Sequence, residues 1–417
     1  MSTPHGLRRR LAHGLRLGAA GVAAASEGRP GVGGARPLVP GKVLGETALL
    51  CRVAGRLLAD EPSLARHEGL GAAQARLGEA LTRALDPQRA ALAVAADPRR
   101  RTHEAFPFAL LGDLDTGHRA VARHLLDLAD DDLGDEPDPF DRLELSWLQG
   151  LAEGCATPDV PTGSVLRRGA DLLHGELTDA YGLTHAVLHA TDCGLLPPRL
   201  DHPAAVVADE AEALLGAALA SDNLDIAAEL LWTWPMLGEP LGAGARYALA
   251  ELDRAEATHG FLPGPEHDPA VAGGLRPADR STYVIQTSYH TGVVGGVLAA
   301  ALLRSDRPDA PARRRTASGR GAEPTADADP LPLLELADGP WADALRARPL
   351  AQRTPCTPLV LGAELRTATA RRDPARVHHL VSWAAGHDWA HLPSVRQGAA
   401  LLSRVARATA QPASLAS

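Results

Sequence analysis

One stretch of the sequence, residues 179–194, carries polar side chains at helical spacing. Tyr181, His185 and Asp192 fall at positions i, i+4 and i+11, so a helix would place them on one face. His189 lies one turn beyond His185, beside the same face. Because such side chains pack poorly in an apolar core, the pattern predicts a helix that lines a polar cavity.

Two imidazoles one helical turn apart can bind a single metal ion, as His185 and His189 would here. A third ligand must come from another segment, and we expect His290 to supply it, with Glu229 or Asp192 as the next candidates. Histidines with a carboxylate suit Zn²⁺ or non-haem Fe²⁺, so either ion could serve as cofactor. The alternative is that His185 hydrogen-bonds a carboxylate or a backbone carbonyl in the interior.

Asp192 follows His185 by two helical turns, about 10 Å along the axis at a rise of ~1.5 Å per residue. Asp192 could therefore not easily share an ion with His185, but it could reach an ion held by His189. Residues 192–194 also have the composition of a helix end, so a capping role is the alternative for this aspartate.

Two acidic residues one helical turn apart, Asp225 and Glu229, lie in a predicted helix that also carries Trp232. If both carboxyls face inward, each raises the pKa of the other, and the pair could supply a general acid and base. The alternative is structural, with one carboxylate bound to an Arg and the other capping a helix.

His290 is flanked by Tyr289 and Thr291 in the longest apolar helix that we expect. Glycines follow at positions 292, 295 and 296, and they would allow either close helix contact or space for a ligand beside the imidazole. The alternative is a hydrogen-bonded core histidine.

The expected site therefore has two kinds of residue. Catalysis is expected of His185, Asp192, Glu229 and His290. Contacts with the ligand are expected of Tyr181, Thr184, Asp225 and Tyr289. A rival histidine group, His378, His379, His387 and His391, would be a surface loop or a competing metal site.

Composition limits the classes of function. The 417 residues carry a net charge of −9, and no basic stripe accompanies the few Arg clusters, so no nucleic-acid partner is expected. Lys42 is the only lysine, so a Schiff base could form at no other side chain. No apolar run reaches the ~18 residues of a membrane span. The four cysteines form no Cys-x-x-Cys motif, and we expect a cytoplasmic protein without membrane contact.

The elements that must position these residues are predicted to be helices throughout. No segment shows sustained alternation of β-branched residues, whereas helical periodicity recurs along the chain, including residues 164–174. We therefore expect an all-α fold in which antiparallel helical hairpins close into an α/α toroid-like ring. An open α-solenoid is the alternative, although no repeat of fixed period is present.

Composition also divides the chain. Residues 1–40 are expected to form an N-terminal helix and a Gly/Pro-rich loop, and residues 41–304 the main helical domain. Residues 305–330 contain almost no large apolar side chain, which predicts a disordered insertion. Residues 331–408 would complete the ring, and residues 409–417 would be a disordered tail.

Several short segments together resemble an uncharacterised family of actinobacterial helical proteins. They are Asp141-Arg-Leu-Glu-Leu, Tyr181-Gly-Leu-Thr-His followed by Thr191-Asp-Cys-Gly, Asp225-Ile-Ala-Ala-Glu-Leu-Leu, Gly260-Phe-Leu-Pro-Gly-Pro and Tyr289-His-Thr. The resemblance covers roughly residues 40 to 305. It implies a fold similar to the α/α-toroid proteins of the terpenoid-cyclase and lanthionine-cyclase type, and a genetic setting near natural-product biosynthesis.

The resemblance does not carry either cyclase activity, because the Asp-rich motif of the former and the Cys-His zinc pair of the latter are absent. Where this chain has His189 and His259, the family pattern implies an aromatic residue and an Asp. The resemblance therefore favours His185, Asp192 and His290 as functional residues.

Three interpretations of function follow. The first is a tailoring enzyme that acts on a small molecule or peptide in natural-product biosynthesis, in a polar and metal-binding cavity inside the ring. The second is a non-catalytic binding or scaffold protein for a biosynthetic complex or a precursor peptide. The third is a regulatory helical-repeat protein that uses residues 305–330 as its contact segment.

Overall fold

The structure is a computed structural model that describes residues 3–128, 139–154, 158–174, 178–197, 199–305 and 329–410. Every regular element in these ranges is helical, which confirms the predicted all-α fold. The insertion expected at 305–330 and the tail expected at 409–417 lie outside the described residues except at their ends. Closure of the helices into a ring stays a prediction.

The α-helices of the described ranges are numbered in chain order. They are α1 (Pro4–Ser26), α2 (Pro40–Asp60), α3 (Leu70–Ala84), α4 (Pro87–Ala96), α5 (Arg101–Leu111), α6 (Thr116–Asp127), α7 (Pro139–Glu153), α8 (Val165–Arg168), α9 (Thr178–Ala190), α10 (Ala204–Ala220), α11 (Leu224–Leu237), α12 (Ala243–His259), α13 (Pro269–Gly274), α14 (Pro277–Ser305), α15 (Leu331–Leu334), α16 (Pro340–Arg346), α17 (Leu350–Arg353), α18 (Thr357–Ala370), α19 (Pro374–Gly386) and α20 (Pro393–Ala410). Short 3₁₀ helices occupy Pro62–Gly69, Pro98–Arg100 and Thr354–Cys356.

Local sequence explains where many helices begin and end. Asp86 begins α4, because its carboxylate accepts hydrogen bonds from the backbone amides of Gln88 and Arg89. Gly238 ends α11 in the left-handed conformation, at a φ of 75°. The helix predicted over residues 164–174 forms only as α8, because Gly169 turns the chain at a φ of 80°.

The core is built from Leu, Ala and Val, as the shortage of aromatic residues requires. Its buried side chains form one contiguous cluster that runs from Leu7 in α1 to Val395 in α20. Residues 1–40 therefore contribute a helix to the same core as the main helical region. No helix in the described ranges is long and apolar enough to cross a bilayer.

Helix α14 is the element around which the site is arranged. It packs against α1, α2 and α11, and α11 packs in turn against α9. Glycines allow the close approach to α1, because a Cβ atom on Gly14 would lie 2.6 Å from the carbonyl oxygen of Gly292. Of the two roles foreseen for the glycines after His290, close helix contact is the one observed at Gly292.

A carboxylate–histidine cluster between four helices

One imidazole and three carboxyls converge where α2, α11 and α14 meet. The Nδ1 atom of His290 lies 2.9 Å from Oε2 of Glu46, and its Nε2 atom lies 3.1 Å from Oδ2 of Asp225. Glu229, one turn after Asp225, places Oε1 3.8 Å from the same Nε2 atom. Asp225 and Glu229 are only 3% and 1% exposed. We call these four residues the carboxylate–histidine cluster.

Helix α9 contributes the next polar groups. The Thr184 hydroxyl donates a hydrogen bond of 2.9 Å to Oε2 of Glu229, and Nδ1 of His185 lies 3.7 Å from the same oxygen. That Nδ1 atom is also 3.0 Å from the carbonyl oxygen of Tyr181. If Nδ1 donates its proton to this carbonyl, Nε2 is the unprotonated nitrogen of a neutral imidazole.

The cluster strongly perturbs the protonation of its members. Burial alone would lower the pKa of His290, but Asp225 and Glu46 outweigh it and raise that pKa well above its ordinary value. Burial, reinforced by the charge of Asp225, raises the pKa of Glu229 to about 8. Burial, with His290 adding to it, lowers the pKa of His185. The neutral imidazole of His185 therefore lies beside a group of carboxyls that strongly favours the cationic form of His290.

The rim of the cluster carries groups that a ligand could contact. The Tyr181 side chain is 38% exposed, and its ring lies 6.1 Å from the ring of His185. Phe140 of α7 lies 5.8 Å from the same imidazole. Lys42, 57% exposed, places Nζ 3.6 Å from Oε1 of Glu46. Aromatic surface and a positive charge therefore flank the polar interior.

The structure brings together most of the residues expected at the site. Glu229, Asp225 and His290 belong to the cluster, and Thr184, His185, Tyr181 and Tyr289 lie beside it. The Tyr289 ring is buried, 6.3 Å from that of His290. The ligand contact expected of Tyr289, like the roles of the other expected site residues, stays a prediction.

His189 lies away from the cluster, although it follows His185 by one turn. Its ring stacks on Trp147 of α7 at 4.8 Å, and its Nε2 atom lies 3.9 Å from Oε1 of Glu144. Burial lowers the pKa of His189 well below its ordinary value. Four residues rotate a helix by about 40° past a full turn, enough here to direct the second imidazole towards α7 instead of α14.

The metal-ligand set expected from the sequence therefore needs correction. Within the described ranges, the group of side chains whose ligand atoms all lie within 4.8 Å of one another is Asp225, Glu229 and His290. His290 and the two carboxylates of α11 belong to this group, whereas His185 and His189 do not.

Asp192 is also outside the cluster. Its two carboxylate oxygens accept hydrogen bonds of 2.7 and 2.9 Å from Arg52, and the Trp147 indole donates one of 2.8 Å. The residue is 4% exposed and has a φ of 48°, just after the end of α9. Its place at a helix end agrees with the alternative reading, but its side chain forms a buried ion pair instead of facing the site.

Two acidic residues near the site were not foreseen. Glu46 lies in α2, one residue before Thr47, which the structure buries completely. Glu144 lies inside the motif that begins at Asp141. Burial, with Asp141 adding to it, raises the pKa of Glu144 to about 7.

The rival C-terminal histidines do not form a comparable group. His387 stacks on Trp383 at 4.3 Å, and its Nδ1 atom lies 2.7 Å from the carbonyl oxygen of that residue. His391 stacks on Trp389 instead. Within the described ranges, these imidazoles belong to no group with converging ligand atoms.

Fold and cluster together define an all-α protein with a group of one partly buried histidine and three carboxyls, two of which are buried. A family model described as a domain of unknown function, DUF6895, matches residues 24–300, and the chain belongs to this family. The expected membership of an uncharacterised family is thus confirmed. The matched range contains all four cluster residues. No curated protein and no solved structure matches the chain.

Proposed function

We propose that this protein is a cytoplasmic tailoring enzyme that acts on a small molecule or a peptide in natural-product biosynthesis. The carboxylate–histidine cluster and the neighbouring His185 would form its active site. The observation that carries the proposal is the convergence of the cluster with His185 and Thr184, because these six residues come from four helices. Among the described ion pairs, none joins a cluster carboxylate to an Arg.

The chemistry of the cluster favours catalysis over stabilisation. Burying an ionised carboxyl costs free energy, and in a structural ion pair an Arg partner usually offsets that cost. Arg52 does this for Asp192 in the same protein. Asp225 instead faces His290, with Glu229 close behind. Such perturbed groups cluster at functional sites.

His185 is the proton-transfer residue in this proposal. Its Nδ1 atom is held by the carbonyl of Tyr181, so Nε2 has a free lone pair, and the side chain is one third exposed. A substrate that enters past Tyr181 and Phe140 would meet Nε2 first. The cluster would then polarise the reacting group beside it.

A complementation experiment tests the proposal. A producing strain that lacks the gene would receive the wild-type chain, His185→Ala, or His379→Ala as a control on the exposed face of α19. We expect His185→Ala to reduce the mature product at least ~100-fold, because a general base contributes about 10²–10⁴-fold to rate. Its far-UV circular dichroism should match the wild type. Product at the wild-type level would refute the proposal.

A non-catalytic binding or scaffold role is the second candidate. The Asp192–Arg52 pair supports it, since this pair shows that the protein does use buried charges to fix helices together. In that case His185→Ala would leave product formation intact, and substitutions in the cluster would mainly lower stability.

A further inference from the structure

We propose that the cluster binds one divalent first-row transition-metal ion through Nε2 of His290 and one carboxylate oxygen each of Asp225 and Glu229. Glu46 would orient the imidazole from behind. This inference deepens the proposed function and depends on it only for the claim that the ion takes part in catalysis.

The spacing of the ligand atoms suits an ion. Ligands about 2.1 Å from a metal ion lie roughly 3–4.2 Å from one another. The Nε2 atom of His290 is 3.1 Å from Oδ2 of Asp225 and 3.8 Å from Oε1 of Glu229. All three ligand atoms fall within 4.8 Å of one another.

The groups behind the ligands are placed to orient them. The Oε2 atom of Glu46 lies 2.9 Å from Nδ1 of His290, although neither atom has a hydrogen-bond partner in the structure. A side-chain rotation would form the carboxylate–histidine–metal arrangement that fixes the tautomer and frees Nε2 for the ion. Thr184 donates its hydrogen bond to Oε2 of Glu229, so Oε1 remains available. Both ligands would therefore be pre-oriented from their outer sides.

An unpaired buried oxygen supports the proposed cation site independently of the spacing. Asp225 is 3% exposed, yet its Oδ1 atom has no hydrogen-bond partner. Leaving a buried carboxylate oxygen without a partner costs about 1–3 kcal/mol or more. A divalent ion bound to Asp225 through Oδ1 instead of Oδ2 would satisfy this oxygen, and an ion bound through either oxygen would neutralise the two adjacent carboxylates of α11.

The donor set narrows the kind of ion. An imidazole favours Zn²⁺ or Fe²⁺, and carboxylates also accept Mn²⁺, whereas Ca²⁺ requires 6–8 oxygen ligands. Three protein ligands are the number found in catalytic sites, which keep a position open for water or substrate. Bound here, the ion would supply Lewis-acid activation beside His185.

Isothermal titration calorimetry of the full chain tests this inference. Tag-free protein, dialysed against a chelator and then freed of it, would be titrated with ZnCl₂, with MnCl₂ and with CaCl₂. The variants are Asp225→Asn, His290→Asn and Glu46→Gln, with His379→Ala as the control. Far-UV circular dichroism would confirm that each variant is folded, and Glu229→Gln would replace any ligand variant that is not.

The wild type and the His379→Ala control should bind one equivalent of Zn²⁺ or Mn²⁺ more than the ligand variants Asp225→Asn and His290→Asn do. Glu46→Gln should keep that equivalent with about 10–100-fold weaker affinity, and CaCl₂ should reveal no difference between the chains. Equal stoichiometry in the wild type and the folded ligand variants would overturn the inference. That result would leave the complementation test of His185 unaffected, so the two proposals can fail separately.

Discussion

At the residue scale, two buried aspartates expected at the site have different partners. Asp192 receives both terminal nitrogens of Arg52, a planar fork that satisfies both carboxylate oxygens. Asp225 faces an imidazole and retains an unpaired oxygen. The first carboxylate has a partner for each of its oxygens, whereas the second has an oxygen without one.

Replacing Asp192 with Ala should lower the free energy of unfolding by about 3–5 kcal/mol, because it leaves Arg52 as a poorly compensated buried charge. Urea denaturation would measure the loss. The control is Asp338→Ala, which breaks the exposed pair with Arg371 and should cost less than about 1 kcal/mol. Equal losses in the two variants would contradict a structural role for Asp192.

The sequence predicted the site best where its residues share one helix. Tyr181 and His185 lie about one turn apart in α9, and their common face followed from spacing, whereas Asp192, assigned to the same face, lies beyond the end of α9. Glu46 lies 139 residues before His185 in the sequence, so no spacing rule connects the two. The His189 ring packs against Trp147 of α7, and the helical periodicity of α9 does not encode the position of α7.

At the element scale, periodicity predicted the helices but not all their limits or neighbours. The expected helix over 164–174 stops at Gly169, because the positive φ of that residue ends it after one turn. The pairing of α1 with α14 brings together segments almost 280 residues apart. It depends on glycines whose importance becomes visible only when the two helix surfaces meet.

Gly14→Ala should therefore lower the free energy of unfolding by about 1–3 kcal/mol, because the new methyl would overlap the backbone of Gly292. Gly182→Ala is a matched control, since a Cβ atom there meets nothing within 4 Å. That control should gain about 0.5–1 kcal/mol from its better helix propensity. Thermal unfolding of both variants would show whether their shifts have opposite signs, and a stabilised Gly14→Ala would contradict the contact.

At the scale of the whole molecule, the helices that carry the polar cluster share one contiguous apolar core. Buried carboxyls weaken such a core unless their charge is compensated, so a site kept for chemistry should reduce the stability of the entire chain. A structural ion-pair network would have the opposite signature, because removing one partner would weaken the fold. The global free energy of unfolding therefore distinguishes the two roles without knowledge of the substrate.

The most direct measurement is the free energy of unfolding of Glu229→Gln in the presence of a chelator. Gln keeps the shape of Glu229 and an acceptor for the Thr184 hydroxyl, while Asp225 and His290 remain paired. A catalytic cluster predicts stability equal to the wild type or up to about 1 kcal/mol higher, because Gln removes a carboxyl whose pKa burial raises to about 8 and whose burial therefore costs free energy at neutral pH. A loss of about 3 kcal/mol or more, as expected for a broken structural ion pair, would contradict the account.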